Sequence, residues 1–183
     1  MLNERVILAG FGGQGIMLMG QLLTQAGMDE NKEVSWLPSY GPEMRGGTAN
    51  CDVMISEKPI ASPIISNDAT SAIVMNLPSM VKFVPEVVGG GYVFVNSSLI
   101  EEKVERDDVT TYYIPCNEIA NDLGNMKIAN MVMLGAYVEV TKSLDPESVL
   151  NALEKKLGMT KTSLMGINRE AFAKGAEAAR EQM

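Results

Sequence analysis

Apolar and polar residues fall into short blocks along the 183-residue chain, and the block periods alternate between those of strands and those of helices. Val6 to Ala9 is an apolar run of the length a buried strand carries. Beyond the glycines that follow it, Ile16, Met19, Leu23 and Ala26 recur at helical spacing and predict a helix over 14–28. Gly20 and Gly27 are weak formers inside it and hint at close packing. Asp29 to Lys32 is a polar turn, and Glu33 to Leu37 reads as a second strand. Thr48 to Ile55 reads as a third, with Ser56 to Pro59 as its exit turn and a hairpin continuing over 60–65. Ala72 to Met75 is a fourth apolar run. Asn76-Leu77-Pro78 then reads as a cap and helix start, running to about Val84. Gly89-Gly90-Gly91 breaks the chain before the strand Tyr92 to Val95.

Glu101 to Asp108 is a charged surface run, followed by the strand Thr110 to Ile114 and a short helix after Pro115-Cys116-Asn117. Lys127 to Val140 is apolar all round, which predicts a buried helix; it is too short to cross a bilayer. Asp145-Pro146 opens a further helix, with Val149, Leu150, Leu153 and Leu157 on its apolar face and Gly158 at its end. A last helix is expected from Asn168, with Phe172, Gly175, Ala176 and Ala179 on one face. Such a small-residue face suits close packing on a sheet or on another chain. Strands alternating with helices imply one domain over 1–183, a three-layer α/β/α fold with a largely parallel sheet.

The first strand ends in Gly10-Phe11-Gly12-Gly13-Gln14-Gly15, which fits G-x-G-x-x-G between a strand and a helix. Glycine lets a phosphate approach the backbone, and the opening N–H groups of a helix lack helical partners. The expected ligand therefore carries phosphate, with the backbone N–H groups of Gly12, Gly13 and Gln14 as its donors. Glycines serving only close helix–strand packing are the alternative. A dinucleotide would also require an acidic residue at the end of strand two, where the sequence has Trp36-Leu37-Pro38-Ser39. The second glycine-rich loop, Pro38 to Gly47, leaves the same sheet edge and presents Tyr40, Gly41, Glu43, Arg45 and Gly46. The Arg45 fork matches phosphate or carboxylate oxygens. Asn130 is the polar exception at the start of the buried helix, where a cap or backbone bond is the plain explanation.

Composition removes several classes. The chain has no histidine, so Ser-His or Cys-His nucleophiles and His-ligated metals are excluded. Its two cysteines, Cys51 and Cys116, are too few for a self-contained Cys₄ cluster and are expected as buried free thiols, with a Cys51–Cys116 disulfide as the alternative. A formal net charge of −8 argues against nucleic acid or an anionic membrane as partner. With no signal pattern and no spanning apolar run, a cytoplasmic location is expected. The 14 methionines suit a Met-rich core, with a Met-rich subunit interface the alternative.

The two loops together, with Lys127-Ile-Ala-Asn130-Met-Val-Met-Leu-Gly135-Ala, resemble the gamma subunit of 2-oxoacid:ferredoxin oxidoreductases over nearly the whole chain. The 2-oxoglutarate branch is the nearest in pattern; pyruvate, branched-chain and indolepyruvate members share it. The resemblance implies the gamma-type domain (domain III) of pyruvate:ferredoxin oxidoreductase as the fold. It also implies a hetero-oligomer with alpha and beta subunits, with delta as a further partner it allows, and delivery of electrons to ferredoxin through the complex. Thiamine diphosphate, Mg and iron–sulfur clusters would sit on those partners. What remains for this chain is coenzyme A, held by Gly10, Gly12, Gly13, Gln14, Gly15, Tyr40, Gly41, Glu43, Arg45, Gly46 and Asn130, with no catalytic residue and no metal ligand of its own. An assembly subunit whose loops only brace its partners, and an independent nucleotide- or flavin-binding protein, are the competing readings.

Overall fold

In the computed structural model, residues 2–39, 48–158 and 162–183 are described. Six strands form one mixed sheet in the order β2-β3-β1-β4-β5-β6. They are β1 (Asn3–Phe11), β2 (Glu33–Ser39), β3 (Thr48–Ser56), β4 (Ala69–Val74), β5 (Val87–Asn96) and β6 (Thr110–Ile114). β1, β4, β5 and β6 pair in parallel, whereas β3 is antiparallel to both β1 and β2. β2 therefore points the same way as β1, and β3 alone is reversed. The sheet is largely parallel, as expected, with β3 the reversed strand: eight residues separate β2 from β3, too few for the crossover that a parallel pair requires. The carboxyl ends of five strands still share one edge.

Helices lie on both faces: α1 (Ile16–Asp29), α2 (Leu77–Phe83), α3 (Cys116–Asp122), α4 (Ala129–Thr141), α5 (Pro146–Leu157) and α6 (Thr162–Arg180). Alternate residues of the strands divide between two cores, as the pleat requires. Val6 and Leu8 face the larger core with α1, α4, α5 and α6; Ile7 and Ala9 face the smaller one with α2, Ile65 and Ile100. The methionines follow this division: Met19, Met75, Met131 and Met133 are buried in the larger core, and Met54 and Met80 in the smaller.

α4 is buried on every side from Ala129 to Val138, which explains why its sequence shows no apolar stripe. It lies between the sheet and α6, and the approach is unusually close. A Cβ on Gly135 would stand 1.9 Å from the Phe172 carbonyl oxygen, and one on Gly175 would stand 1.7 Å from that of Val132. The small-residue face of α6 therefore packs within this chain.

Three expectations change. No strand forms over 60–65; the segment carries Ile60 and Ile65 against the smaller core instead. Gly89 to Gly91 lies inside β5, where Gly90 takes φ +83° and donates to the Asp108 carbonyl at 2.6 Å, so the glycines make an irregularity rather than a break. α6 starts at Thr162, because residues 162–167 join the helix despite Gly166. Cys51 and Cys116 are free and buried, and burial pushes the Cys51 thiol up to about 12. At the amino end of β1 the buried Glu4 carboxylate accepts from Ser71 Oγ and from Tyr137 Oη (3.1 Å). Burial raises its pKa above the ordinary value.

Candidate anion site at the carboxyl edge of the sheet

β1 ends at Phe11, and the glycine loop turns tightly into α1. Gly13 and Gly15 have φ +91° and +78°, a region in which an L side chain is strained. Gly10 is buried, and a Cβ there would meet Gln14 Oε1 at 2.6 Å and Met75 Cβ at 2.9 Å. Gly12 and Gly13 are exposed. So Gly10 serves packing, whereas Gly13 and Gly15 serve the shape of the turn.

Gln14 has a role that differs from the one expected. Its backbone N–H donates to the Phe11 carbonyl at 3.2 Å and is engaged within the turn. Its side chain folds back: Oε1 accepts from Phe11 N at 2.6 Å and Nε2 donates to the Met75 carbonyl at 3.1 Å. Gln14 therefore ties the loop to the end of β4. The uncapped N–H groups belong to the first turn of α1. Gly15 is its N-cap and offers no side chain, and among the described residues nothing takes the N–H groups of Ile16, Met17 and Leu18.

Asn130 joins this corner from the far end of the sequence. It is 5% exposed, and its Oδ1 accepts from Met131 N at 3.0 Å. Its amide nitrogen rests on Gly15, where a Cβ would stand only 2.4 Å from it. The local backbone bond expected of Asn130 is present, but it occupies only the oxygen. The nitrogen is not one of the buried nitrogen donors left without a partner, which among the described residues are Arg5 Nε, Trp36 Nε1 and Asn76 Nδ2. Asn130 lines a cleft of about 160 Å³ together with Gly13, Gln14, Met75, Asn117, Met126, Lys127 and Ala129. Lys127 is its one titratable lining residue among those described, and it is exposed.

Sequence reasoning missed Lys127, Asn117 and Met75 as parts of this corner. Lys127 stood in the stretch that carried the family pattern, but only the fold brings it beside a loop so far away in sequence. Larger hollows exist, among them one of about 440 Å³ between α1 and α5 at Trp36. One of its lysines, Lys155, is held by Asp29 at 2.8 Å, and the other, Lys156, by Gln21. Volume therefore does not single out a site here, and Trp36 Nε1 at this larger hollow is itself a buried donor without a partner among the described residues.

Tyr40, Gly41, Glu43, Arg45 and Gly46 lie outside the described residues. Their flanks do not. Ser39 ends β2 at the carboxyl edge, and Thr48 opens β3 paired with Phe11. The connection thus leaves and re-enters the sheet at the edge that carries the glycine loop, as the two-loop reading requires. Strand two also runs to Ser39 without an acidic residue at its end, which leaves the ribose-binding position of a dinucleotide site unfilled.

The profile of the pyruvate ferredoxin/flavodoxin oxidoreductase family matches residues 5–178. The 2-oxoglutarate synthase subunit KorC of Methanocaldococcus jannaschii is 36% identical over 186 residues, covering 98% of this chain and 96% of that protein. The ketoisovalerate oxidoreductase subunit VorA of Methanothermobacter thermautotrophicus is 36% identical over 180 residues. That match covers 98% of this chain, which spans only 37% of the VorA length. Among solved structures, the gamma subunit of a keto/oxoacid ferredoxin oxidoreductase from Geobacter sulfurreducens superposes with a TM-score of 0.82 at 28% identity. It covers 97% of this chain and 99% of that one.

Proposed function

The chain belongs to the pyruvate ferredoxin/flavodoxin oxidoreductase family, and on that premise we propose that it is the gamma subunit of a 2-oxoacid:ferredoxin oxidoreductase and contributes part of the coenzyme A site. The complex would decarboxylate a 2-oxoacid oxidatively, pass the acyl group to coenzyme A and the electrons to ferredoxin. The names of the relatives divide between 2-oxoglutarate and ketoisovalerate. The resemblance as a whole is nearest to the 2-oxoglutarate branch, with pyruvate, branched-chain and indolepyruvate members as the alternatives.

One observation carries the coenzyme reading: the first turn of α1 has no side-chain cap, and the glycine loop that leads into it lines a cleft together with Asn130. A helix N-terminus with free N–H groups favours an anion. The cleft is small. Sites that enclose a whole coenzyme-sized ligand run to roughly 300–1,000 Å³. A hollow of about 160 Å³ suits a phosphate-bearing fragment, with the remainder of the molecule on the Tyr40 to Gly47 loop or on a partner subunit. Arg45 is the residue of that loop assigned to a phosphate.

The donor set of this chain does not fit the redox centres. It has two cysteines, both buried and apart from any cluster of ligands among the described residues. Iron–sulfur clusters, thiamine diphosphate and Mg therefore belong, in this proposal, to the alpha, beta and, where present, delta subunits. Among the described residues no helix is long and apolar enough to cross a membrane. The complex is taken as cytoplasmic.

Isothermal titration of coenzyme A into the assembled complex tests the reading. Heat that is present with the wild-type chain and lost with Gly15→Ala supports it. Tight coenzyme binding that ignores both Gly15→Ala and Arg45→Ala leaves the chain as an assembly subunit.

A further inference from the structure

The two outer strands of the sheet are finished differently. On β6 the Gln182 side chain lies along the strand: its Oε1 accepts from Tyr113 N at 2.9 Å, and its Nε2 donates to the Tyr113 carbonyl at 2.9 Å. That is the pair of bonds a further strand would make. On β2, at the opposite side, no bond beyond the pairing with β3 engages a backbone group of Glu33–Ser39 among the described residues. Which groups of β2 point outward follows from alternation. The Ala9 carbonyl accepts from Met75 N on the β4 side, so odd residues of β1 face β4 and even ones face β3. The register carries this across the sheet: odd residues of β3 bond β1, and even ones bond Glu33, Ser35, Leu37 and Ser39 of β2. Val34, Trp36 and Pro38 therefore turn their backbone groups outward. Pro38 stands where its missing N–H costs the sheet nothing, and the open side offers the N–H groups of Val34 and Trp36.

The segments at this side carry no charge. In a chain of which 21% is charged, residues 16–28 of α1 and 34–39 of β2 include no Asp, Glu, Lys or Arg. Met28 and Leu37 are exposed there and Trp36 is half-buried. Met28 and Trp36 line the hollow of about 440 Å³ between α1 and α5, with the uncharged Gln21, Thr24 and Gln25. The lysines of that hollow are turned to Asp29 and Gln21. Methionine and an aromatic side chain on a surface without charge is the composition of an interface centre, not of a solvated face.

We propose that β2 pairs with β2 of a second copy of this chain, antiparallel across a two-fold axis at Trp36. The strand is self-complementary in that register. Trp36 exchanges both bonds with its copy, and Val34 N–H reaches the Pro38 carbonyl of the second copy, so each outward N–H finds an acceptor. Glu33 falls opposite Ser39, which keeps the two carboxylates at opposite ends. Ser35 stands opposite Leu37 in a non-hydrogen-bonded pair, where side chains are closest. Charge favours a second copy over a foreign chain. Two chains of net charge −8 repel each other and meet most readily where neither presents charge, whereas unlike subunits recognise one another through complementary charge. The pairing joins two sheets into one. Because the two strands run in opposite directions, the two glycine loops point to opposite ends of the dimer, each open to its own partner subunits. The proposal does not rest on the coenzyme reading.

Sedimentation equilibrium of the full chain tests it, with Ser35→Glu, Leu37→Lys and the double variant alongside the wild type. The wild type is expected to dimerise. Each single variant should weaken the dimer about tenfold, because the axis applies every change twice. The double variant should regain most of the loss, since each introduced carboxylate then faces an introduced ammonium across the axis. Hydrogen exchange on the wild type reads the register without any variant. The amides of Val34 and Trp36 should be protected in concentrated solution and exchange on dilution, while those of Ser35 and Leu37, bonded to β3, stay protected at both concentrations. A wild-type chain that stays monomeric up to its solubility limit overturns the proposal. So do single variants that dimerise as the wild type does, or a double variant no tighter than the weaker single one. Protection of Val34 and Trp36 that appears only when the other subunits are added also overturns it, and gives this side of the sheet to a foreign strand.

Discussion

Two sets of glycines do different work in this chain. Gly13 and Gly15 turn the backbone into positive φ beside an open cleft. Gly135 and Gly175 have no unusual φ; each lies in a helix and lets the backbone of the other helix occupy the place of its side chain. The first pair leaves backbone bare at the glycine loop, and the second removes surface between two helices. A residue whose meaning in sequence is the same, lack of a Cβ, thus means access in one region and burial in the other. The test of that distinction is where the damage appears: in binding for the loop, in stability for the crossing.

The largest effect is expected at the crossing. Alanine at 175 would place Cβ 1.7 Å from the Val132 carbonyl oxygen, and alanine at 135 would place it 1.9 Å from that of Phe172. The obstacle is backbone within a helix, which no rotamer change relieves. α4 and α6 must separate, and α4 is the centre of the larger core. Gly175→Ala should destabilise the fold by about 3 kcal/mol or more, in the upper range for overpacking. Gly135→Ala should follow closely, and the pair should be less than additive because one separation relieves both. Urea denaturation of the single and double variants measures this. Equal loss of affinity for inorganic pyrophosphate, the probe for the phosphate site proposed at the glycine loop, by folded Gly175→Ala would break the distinction.

Gly15 comes next because it belongs partly to each kind. Its φ of +78° makes alanine cost about 1–2 kcal/mol from backbone strain alone. A Cβ would also strike the amide of Asn130 at 2.4 Å. That obstacle is a side chain, so it can give way, and removing it should help. Gly15→Ala with Asn130→Ala is expected to be more stable than the sum of the two single losses predicts. Additive losses in the denaturation cycle would show that Asn130 and Gly15 are not coupled as the geometry states.

Much of this arrangement is legible in the sequence. The apolar run at Val6, the glycine loop and the helical face behind it place β1 and α1 within a few residues of where they lie. The unpatterned apolar stretch at Met131 to Val138 announces a helix buried on all sides. Strand direction is not legible: period-two alternation looks alike in both senses, and only the pairing with β1 and β2 shows that β3 is reversed. Residues 162–167 carry a weak helical signal, since Thr162, Ser163 and Gly166 are poor formers, and the packing of α6 on α4 overrides it. At the site, sequence can name Gly15 and Asn130 separately but cannot put one against the other. Nor can it show that the Gln14 N–H is spent on Phe11. Such facts depend on how a loop closes, and propensity does not encode them.

Gln14 should give a smaller effect than Gly15 and one confined to the loop. Gln14→Ala removes the acceptor for Phe11 N and the donor to the Met75 carbonyl. Two hydrogen bonds of a half-buried side chain are worth about 1–2 kcal/mol together. Hydrogen exchange at Phe11 should quicken while the α4–α6 amides stay protected. Quickening that spreads to α4 would mean that the loop and the crossing form one cooperative unit, against the division drawn here.

The smallest loss of stability is expected at Gly13, and it bears most directly on the comparison. Nothing lies within 4 Å of the place its Cβ would take, so alanine there costs only backbone strain at φ +91°, about 1 kcal/mol. Gly13 nevertheless borders the cleft, and an added methyl group narrows a hollow of about 160 Å³. Gly13→Ala should therefore lose more in pyrophosphate affinity than in stability, the reverse of Gly175→Ala. Thermal melting and pyrophosphate titration on the same two preparations decide it. If Gly13→Ala melts as early as Gly175→Ala, the loop glycines are part of the fold's support and not of an open site. If it melts near the wild type and binds poorly, the absence of a side chain at 13 is there for something that approaches from outside.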